Sequence, residues 1–454
     1  MIKKERIYPV KNHTRAHAPK GPFGRAISNG VYLDYAATTP VDTEVFGVMK
    51  PFLDGGSLFG NPGSLHSFGR ESLKYIDEAR AKIAQSINAD FNEIIFTGSA
   101  TEANNLALRG IVRKWQIANS ESISHKRLTT NKPKIIISAI EHESVFETAK
   151  DLEKEGVEIV IIPVDKNGFI DVKKLEKELD ERTVLVSVMY ANNEIGTVQD
   201  ISKIGKIISD FRKRIANSKS CHLPFATGYW PLFHTDAVQA FQFLGCDVKK
   251  LGVDLMTFSA HKIYGPKGVG ALYARRQIAN SKEQKKDFPS AISNLPLAPI
   301  VTGGEQEFGL RSGTENVAGI VGCAKAVELI SNSRELENKR VLGLKKRLWE
   351  IVQKIYPTAE VNGSLENTLP NILNIYFPNV SSELLLIKLD MEGVAVSSGS
   401  ACHARSQEPS RVIQNIWGEK RARESIRFSL GKYTTEDEIK CVWGIIKKVL
   451  ESIK

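Results

Sequence analysis

Apolar and polar residues alternate in two patterns between residues 134 and 191. Three short runs, 134–140, 157–164 and 183–191, are apolar and rich in Val and Ile, which predicts buried strands. The segments between them, 144–156 and 171–181, carry apolar residues at helical spacing. Strand–helix–strand alternation predicts an α/β fold with a mostly parallel sheet covered by helices. In such sheets, ligands bind beyond the carboxyl ends of the strands.

Three polar stretches, 117–132, 212–230 and 277–298, interrupt this pattern. Each carries a variant of one phrase: "QIANSES", "RIANSKS" and "QIANSKE". The phrase is too short to be a structural repeat. Because extra length in a surface loop costs little stability, we interpret the three stretches as surface insertions between core elements.

The two ends of the chain differ from its middle. Residues 340–355 and 436–453 have amphipathic helical patterns, which predicts a second, smaller domain from about residue 332. Residues 1–30 are basic and lack the apolar core of a secretory signal. We expect this segment to be a poorly ordered extension, and an organellar transit peptide remains the alternative.

The composition is that of an ordinary globular protein. The chain has 454 residues, 42% of them hydrophobic and 25% charged, which is enough for two or three domains. No apolar run approaches the roughly 18–20 residues of a membrane span, so we predict a soluble protein. The net charge of +10 would suit a nucleic-acid partner. Lysines dispersed over surface loops give the same charge, however, and direct nucleic-acid binding is the less favoured interpretation.

The cysteine residues lie far apart and form no C-x-x-C pair, which argues against a disulfide framework and against a metal site. We therefore predict a reducing, cytoplasmic location. Cys402 differs from the others in its sequence surroundings. Most cysteines in proteins are buried, whereas the segment "SSGSACHARSQEPS" (397–410) consists mainly of small and polar residues, which is typical of an exposed loop. The five cysteines are Cys221, Cys246, Cys323, Cys402 and Cys441.

An aspartate and a lysine follow two successive predicted strands. Asp236 ends "LFHTD", and Lys262 lies in "TFSAHKIYGPKG". This pair suits pyridoxal phosphate, because a lysine amine forms a Schiff base with its aldehyde and a carboxylate keeps its ring nitrogen protonated. The competing interpretation is a surface lysine beside a Gly/Pro loop. A nucleotide-binding loop is rejected, because "GPKGVG" lacks the spacing and the Ser/Thr that such a loop requires.

The segment around Lys262 resembles a motif of a known family. "TFSAHKIYGPKG" is similar to the lysine motif of the cysteine desulfurases, which are class V enzymes of pyridoxal-phosphate fold type I. The other family motifs follow in order over nearly all of the chain after residue 30, except in the three insertions. They are "YLDYAATTP" (32–40), "GNPGSLHSFGR" (60–70), "FTGSATEANNLAL" (96–108), "EHESV" (141–145), "NNEIGTVQDI" (192–201), "GGEQEFGLRSGTEN" (303–316), "NGSLENTLPNILNI" (362–375), "VSSGSAC" (396–402) and "SIRFSLG" (425–431).

The resemblance implies a fold and a domain division. It implies a large domain, residues 46–331, with a mostly parallel seven-stranded sheet. A smaller α+β domain, residues 31–45 and 332–454, would carry the Cys402 loop.

The resemblance also implies a pyridoxal 5′-phosphate site. Five residues, given at the end of this paragraph, would hold its phosphate. One of them, Thr314, would come from a second subunit, so the resemblance implies a homodimer. For Thr101, a helix N-cap is the alternative role. His142 would stack on the cofactor ring and shuttle protons, and Asn193 and Gln239 would bind near the ring hydroxyl, beside Asp236 and Lys262. The implied phosphate-binding residues are Ala100, Thr101, Ser259, His261 and Thr314.

For the reaction, the resemblance implies removal of sulfur from L-cysteine, which leaves L-alanine and a persulfide on Cys402. Arg427, in an apolar strand, would bind the substrate carboxylate with help from Asn193, and a structural salt bridge is the alternative. His403 and Arg405 would favour the Cys402 thiolate. The sulfur would pass to an iron–sulfur scaffold protein or another acceptor, including enzymes of tRNA thiolation.

Other functions remain open at this stage. A selenocysteine lyase, or an aminotransferase of the serine–pyruvate type, would share the fold. An aminotransferase does not need Cys402, so a persulfide on that residue separates it from a desulfurase. A non-catalytic, tRNA-associated scaffold would use the positive charge, but it would not need Lys262, Asp236, His142 and Arg427 together.

Overall fold

The structure, a computed structural model, describes residues 30–56, 58–121, 132–217, 230–276, 295–399 and 409–453. Three features predicted from the sequence therefore lie outside the described residues: the amino-terminal extension, Cys402 and Cys221. Most of the three predicted insertions also lie outside them.

A seven-stranded sheet forms the centre of the fold, in the order β2-β8-β7-β6-β5-β3-β4. Only β8 runs antiparallel to its neighbours, β2 and β7, and the other pairs are parallel. The predicted mostly parallel α/β sheet is confirmed. In chain order the strands are β1 (Val31–Tyr32), β2 (Ile94–Thr97), β3 (Lys134–Ser138), β4 (Glu158–Ile162), β5 (Thr183–Ser187), β6 (Leu232–Asp236), β7 (Leu255–Ser259), β8 (Gly270–Ala274), β9 (Glu360–Val361), β10 (Ile372–Tyr376), β11 (Val394–Ala395) and β12 (Ser425–Ser429).

The strands predicted from the three apolar runs are present, but one is less buried than predicted. Every residue of β3 and β5 is buried. β4 lies at the edge of the sheet, and its Ile161 is 42% exposed. The prediction of a buried strand at 157–164 is wrong on this point, because an edge strand has a neighbour on one side only.

Helices cover the sheet and begin at side-chain caps. Asp200 caps α6 through the Lys203 amide, and Thr435 and Glu438 form a capping box on α12. No helix among the described residues has both the length and the apolar composition needed to cross a bilayer. The α-helices are α1 (Thr43–Met49), α2 (Ser67–Ser86), α3 (Ala100–Glu121), α4 (Glu143–Lys154), α5 (Val172–Glu178), α6 (Ile201–Ala216), α7 (Val248–Leu251), α8 (Val317–Ile355), α9 (Ser382–Met391), α10 (Arg411–Trp417), α11 (Glu419–Ala422) and α12 (Glu436–Glu451).

A second apolar core lies away from the central sheet. It combines Val31 and Leu33 with residues between 341 and 450, around the antiparallel sheet β12-β10-β9. The 39-residue helix α8 contributes to both cores. The predicted domain boundary at 331/332 falls inside this helix, and the division into two domains stays a prediction.

All three predicted insertions have different bounds in the structure, and the second begins inside a helix because residues 212–216 belong to α6. Residues 117–121 belong to α3, so the first predicted insertion begins inside a helix. Leu295, Leu297 and Ala298 are buried, and the two leucines belong to the apolar core that includes residues of α3. The prediction that residues 277–298 are a surface stretch is therefore wrong for 295–298, because this short segment is apolar and packs into the interior.

Lys345 on α8 is an unusual buried charge. It is 2% exposed, and its Nζ donates to Leu369 O at 2.9 Å and to Thr368 Oγ1 at 3.4 Å. Both acceptors are neutral, and burial lowers the pKa of Lys345 to about 7. The folded protein therefore releases this proton at a lower pH than the unfolded chain, in which a lysine titrates near ~10.4.

We expect Lys345 to make stability increase with pH. Between about pH 7 and ~10 the unfolded chain binds a proton that the folded protein does not, so the free energy of unfolding rises with pH. Met does not titrate, so the stability difference between wild type and Lys345→Met should shift in favour of wild type between about pH 7 and ~9. Urea unfolding at a series of pH values measures this difference.

The adjacent Lys346 is exposed and provides the control. Lys346→Met should follow the wild-type pH dependence. Parallel pH profiles for wild type and Lys345→Met would contradict the expected deprotonation of Lys345.

Candidate active site

The central sheet brings the predicted site residues to one edge. Strands β2, β3, β5, β6 and β7 all run in the same direction, because β2 and β7 are each antiparallel to β8. Their carboxyl ends therefore meet at one edge, where open α/β sheets bind ligands. Ala100, His142, Asn193 and Lys262 lie in the segments after β2, β3, β5 and β7, and Asp236 is the last residue of β6.

Asp236 is a buried carboxylate held by two donors. It is 4% exposed. Its Oδ1 accepts from the Val238 amide at 2.9 Å, and its Oδ2 accepts from Asn104 Nδ2 at 2.9 Å. Asn104 Nδ2 also donates to Ser144 Oγ at 2.8 Å. A carboxylate with a donor on each oxygen has a fixed orientation.

His142 joins the same network. It is the N-cap of α4, where its Nδ1 accepts from the Ser144 amide at 3.1 Å and lies 2.8 Å from Ser144 Oγ. Because a backbone N–H can only donate, Nδ1 is an acceptor and the proton of the neutral ring is on Nε2. Hydrogen bonds thus connect His142 to Asp236 through Ser144 and Asn104.

Lys262 lies against the segment that follows β1. Its Nζ donates to Ala36 O at 2.6 Å and to Ala37 O at 2.7 Å. Gln239 Nε2 donates to Ala36 O as well, at 3.0 Å. Lys262 and Gln239 therefore share Ala36 O as an acceptor. Gln239 lies three residues after Asp236 in the chain.

Ser259 and His261 lie beside the lysine. Ser259 ends β7 and is buried. His261 Nδ1 is 3.1 Å from Thr38 Oγ1. Burial, with the positive charges of Lys262 and Lys267, lowers the pKa of His261 to about 4. His261 is therefore neutral at pH 7, and its Nε2 is the ring atom not paired with Thr38.

The turn between β2 and α3, where the sequence predicts a phosphate site, is capped by a side chain. Ser99 Oγ accepts from the Glu102 amide at 3.1 Å, so Ser99 caps α3. The alternative of an N-cap role for Thr101 is wrong, because Thr101 already lies inside the first turn of the helix. A Cβ on Gly270 would lie 2.8 Å from Ala100 N. Glycine is thus required where β8 approaches this turn.

Thr314 lines a small cavity next to this turn, together with Gly98 and Gly268. The turn and the Thr314 segment are connected through Glu102. Its Oε2 accepts from the Gly98 amide at 2.8 Å, and its Oε1 accepts from Arg311 Nε at 2.9 Å. The structure therefore places Thr314 close to the predicted phosphate-binding turn of its own chain.

Arg427 is almost completely buried, with 1% of its surface exposed. Its Nη2 donates to Asp34 Oδ1 at 2.7 Å, and its Nη1 donates to Asn193 O at 2.8 Å. The structural salt bridge named as the alternative is present. Arg427 Nε has no hydrogen-bond partner among the described residues, so the guanidinium keeps donors for a further acceptor.

The predicted nucleophile Cys402 lies outside the described residues, but the chain before it is fixed. Ser397 pairs with Arg427 through both backbone groups, with Arg427 N donating to Ser397 O at 2.6 Å and Ser397 N donating to Arg427 O at 3.2 Å. Ser397 Oγ also donates to Gly399 O at 2.8 Å. The segment that leads to Cys402 therefore starts beside the buried arginine.

Sequence reasoning missed residues that act as partners of the predicted ones. Asn104 and Asp34 lie in quoted motifs, yet no pattern indicates what they contact. Asn104 meets Asp236 across 132 residues of chain, and Asp34 meets Arg427 across 393. The only available signal was their polarity inside apolar surroundings, where polar groups need partners.

Comparison with known proteins decides the family. The model of the aminotransferase class-V family matches residues 31–216 and 225–442. The chain belongs to this family. The membership expected from the sequence motifs is confirmed.

Curated relatives and solved structures agree. The chain is 42% identical to a cysteine desulfurase IscS of Dictyoglomus turgidum over 93% of this chain and 95% of the relative. It is 43% identical to a putative cysteine desulfurase IscS 1 of Bacillus subtilis over 90% and 96%. A solved NifS-like protein superposes with a TM-score of 0.78 at 33% identity, covering 93% of this chain and 100% of that one. A structure of SspA in complex with cysteine gives a TM-score of 0.69 at 31% identity, over 89% and 100%.

Proposed function

We propose that this protein is a pyridoxal-phosphate-dependent cysteine desulfurase. The observation that carries the proposal is the meeting of Lys262, Asp236 and His142 at one sheet edge, beside the buried Arg427. An amine, a carboxylate, an imidazole and a guanidinium together suit an amino-acid substrate and an aldehyde cofactor. The relatives named as cysteine desulfurases support cysteine as the amino acid.

The residues present fit the proposed cofactor. Asn104 Oδ1 and Arg427 Nε are both buried, and neither has a hydrogen-bond partner among the described residues. Buried polar atoms without partners are rare, and they favour a ligand at this edge. The capped turn before α3 supplies backbone N–H groups for a phosphate, and Gly270 allows β8 to approach that turn closely. Ser259 and His261 border Lys262, and we assign them with Ala100, Thr101 and Thr314 to the phosphate.

When bound, pyridoxal phosphate supplies an electron sink that weakens the carbon–sulfur bond of the substrate. Lys262 provides the amine that holds the cofactor aldehyde and that moves the substrate α-proton. Asp236 keeps the cofactor ring nitrogen protonated, and Asn104 fixes the orientation of its carboxylate. His142 would stack on the cofactor ring and shuttle protons through Nε2, because its Nδ1 is occupied by Ser144. Asn193 and Gln239 bind near the ring hydroxyl.

Arg427 binds the substrate carboxylate. A guanidinium has five N–H donors, and Asp34 and Asn193 accept from two of them. The donors that remain include Nε, which suits a two-point contact with a carboxylate. Asp34 therefore balances the buried charge before substrate arrives, and the arginine serves both as an ion-pair partner and as a substrate anchor.

Cys402 accepts the sulfur as a persulfide, and alanine is the other product. Cys402 is the fifth residue after Ser397, and five extended residues span at most about 18 Å. Because Ser397 pairs with Arg427, the thiol is tethered close to the substrate anchor. The persulfide then passes to an acceptor, for which we propose an iron–sulfur scaffold protein in the reducing cytoplasm. An enzyme of tRNA thiolation would receive sulfur by the same chemistry.

Exposed apolar side chains favour a homodimer, in which Thr314 would complete the partner's phosphate site. Six large apolar side chains between residues 46 and 73 are between 41% and 91% exposed. Monomeric proteins rarely expose so many large apolar side chains in one short segment, and such surfaces often mark protein–protein contacts. Sedimentation equilibrium should give twice the mass of the chain, and a monomer at micromolar concentration would contradict the proposal. The six are Phe46, Leu53, Phe59, Leu65, Phe68 and Leu73.

The cofactor assignment predicts a coloured protein whose colour depends on Lys262. The wild type, reconstituted with pyridoxal phosphate, should absorb visible light, and Lys262→Ala should lose this absorption because its side chain has no amine. Absorption spectroscopy after removal of unbound cofactor measures this. The exposed Lys267 is five residues away, and Lys267→Ala should stay coloured. A colourless reconstituted wild type would overturn the cofactor assignment.

The role of Cys402 predicts a variant that binds but does not desulfurate. Cys402→Ser should keep the cofactor colour and lose sulfide release from cysteine by about a hundredfold or more, because a hydroxyl is a poor sulfur acceptor. Sulfide and alanine assays, with mass spectrometry of the persulfide, measure this. Cys441 is exposed, and Cys441→Ser is the control that should remain active.

Undiminished sulfide release by Cys402→Ser would remove Cys402 from the mechanism. A wild type that releases no sulfide and forms no persulfide on Cys402, but transfers the amino group of its substrate, would be an aminotransferase. Selenocysteine lyase activity is tested with the same wild-type enzyme. The proposal expects turnover of cysteine, and turnover of selenocysteine alone would replace cysteine desulfurase with selenocysteine lyase.

A further inference from the structure

Tyr264, two residues after Lys262, has an unusual backbone conformation. Its φ is 65°, in the left-handed region that bulky residues rarely adopt because their Cβ crowds the backbone. The segment before it, Ala260–Lys262, forms one turn of 3₁₀-helix, and the Gly265 amide donates back to Ala260 O at 2.9 Å. Glycine is the usual residue at this place in a helix end. The chain therefore has a tyrosine where the backbone favours glycine.

Thr39 replaces a hydrogen bond that this kind of helix end usually makes. In the usual form, the amide of the left-handed residue donates to the carbonyl three residues earlier. Here the Tyr264 amide donates to Thr39 Oγ1 at 2.8 Å, and Thr39 Oγ1 donates to His261 O at 2.9 Å. The Thr39 amide also donates to His261 O, at 2.9 Å. Lys262 thus lies between two backbone groups that one buried threonine fixes.

The rest of Tyr264 is fixed by two further segments. Its carbonyl accepts from the Asp42 amide at 2.9 Å, and its hydroxyl accepts from the Lys432 amide at 2.5 Å. Tyr264 is 4% exposed, and its ring packs edge-on against Tyr433 with the ring centres 5.8 Å apart. Burial of the ring and these hydrogen bonds offset the cost of the left-handed backbone.

The segment that fixes Tyr264 also receives the amine of Lys262. Lys262 Nζ donates to Ala36 O and Ala37 O, so the amine and the backbone of Lys262 are both held against residues 36–42. If Tyr264 left the left-handed region, its amide and carbonyl would turn away from their partners. The Cα–Cβ bond of Lys262 would then change direction, and a displacement of about 1 Å at a reacting atom slows a reaction greatly.

We propose that Tyr264 is a positioning residue for Lys262, and that its left-handed backbone, locked by Thr39, sets the position of the lysine amine. The inference rests on the proposed function, in which this amine holds the cofactor aldehyde. The backbone angle of Tyr264, rather than its ring, is what Lys262 requires. A role in packing alone would make the ring the important part, so small side chains at this position distinguish the two roles.

The experiment compares full-length holoenzymes of wild type, Tyr264→Ala and Tyr264→Gly. Both variants lose the ring and its hydroxyl, but alanine keeps the cost of a positive φ and glycine does not. Rapid mixing with cysteine reports the step in which Lys262 leaves the cofactor, as a change in visible absorbance. We expect Tyr264→Ala to slow this step by about tenfold or more, and Tyr264→Gly to slow it by less than about threefold.

Retention of the cofactor gives a second measurement that needs no substrate. During dialysis against buffer without pyridoxal phosphate, Tyr264→Ala should lose its visible absorption faster than Tyr264→Gly, because a misplaced amine holds the aldehyde less tightly. Wild-type behaviour of Tyr264→Ala in both measurements would overturn the inference. A glycine variant no better than the alanine variant would overturn it as well, because the ring would then be the important part.

Asn379 provides a control for general loss of stability. Its φ is 64°, almost the same as that of Tyr264, but it lies on an exposed turn after β10. Asn379→Ala should lower the thermal midpoint relative to Asn379→Gly, while both keep the wild-type absorbance step and retain the cofactor. Slowing of that step in Asn379→Ala by the same factor as in Tyr264→Ala would contradict the inference.

Thr39 keeps the test decisive if Tyr264→Ala does not fold. Thr39→Val removes the hydroxyl that joins the Tyr264 amide to His261 O and keeps the shape of the side chain, whereas Thr39→Ser keeps the hydroxyl. Thr39→Val should slow the absorbance step by about fivefold or more and Thr39→Ser by less than about twofold, and equal rates would contradict the inference. If wild type does not turn over cysteine, the proposed function fails. If wild type is active and the variants match it, only the inference fails.

Discussion

The site depends on a buried carboxylate at the end of a central strand. Asp236 cannot be removed from water without donors, and the fold supplies them from α3 and from its own turn. The donor on α3, Asn104, also binds the Ser144 hydroxyl that occupies His142. One hydrogen-bonded network thus fixes the carboxylate and the imidazole together, so neither can reorient without breaking a bond of the other.

Buried basic side chains among the described residues have either a carboxylate partner or only neutral hydrogen-bond acceptors. Arg427 and Arg80 each have a carboxylate within 2.7 Å, Asp34 and Glu307 respectively. Lys345 has only neutral acceptors, so burial lowers its pKa. The paired arginines keep their charge and serve as fixed points. The lysine instead gives up its proton, because a buried charge without a counter-ion is costlier than a neutral amine.

Arg80 shows how a distant pair supports the site. Its guanidinium binds both oxygens of Glu307, and Glu307 Oε2 also accepts from the Phe96 amide on β2. Glu307 and Phe308 hold left-handed backbone angles, with φ of 49° and 58°, which non-glycine residues rarely adopt. The ion pair therefore holds the segment before Arg311 and Thr314 in an unusual conformation against the strand that leads to the proposed phosphate-binding turn.

The sequence alone determined the class of fold and the chemistry-bearing residues. Alternating apolar runs and amphipathic segments specify a parallel sheet through local periodicity, and motifs around Asp236, Lys262 and Arg427 specify the family. Tertiary structure alone decided the partners: Asn104 for Asp236, Asp34 for Arg427, and Arg411 for the turn of His142. It also decided that β4 is an edge strand. Periodicity reports which side of an element is buried, whereas a hydrogen bond across hundreds of residues depends on how the elements pack.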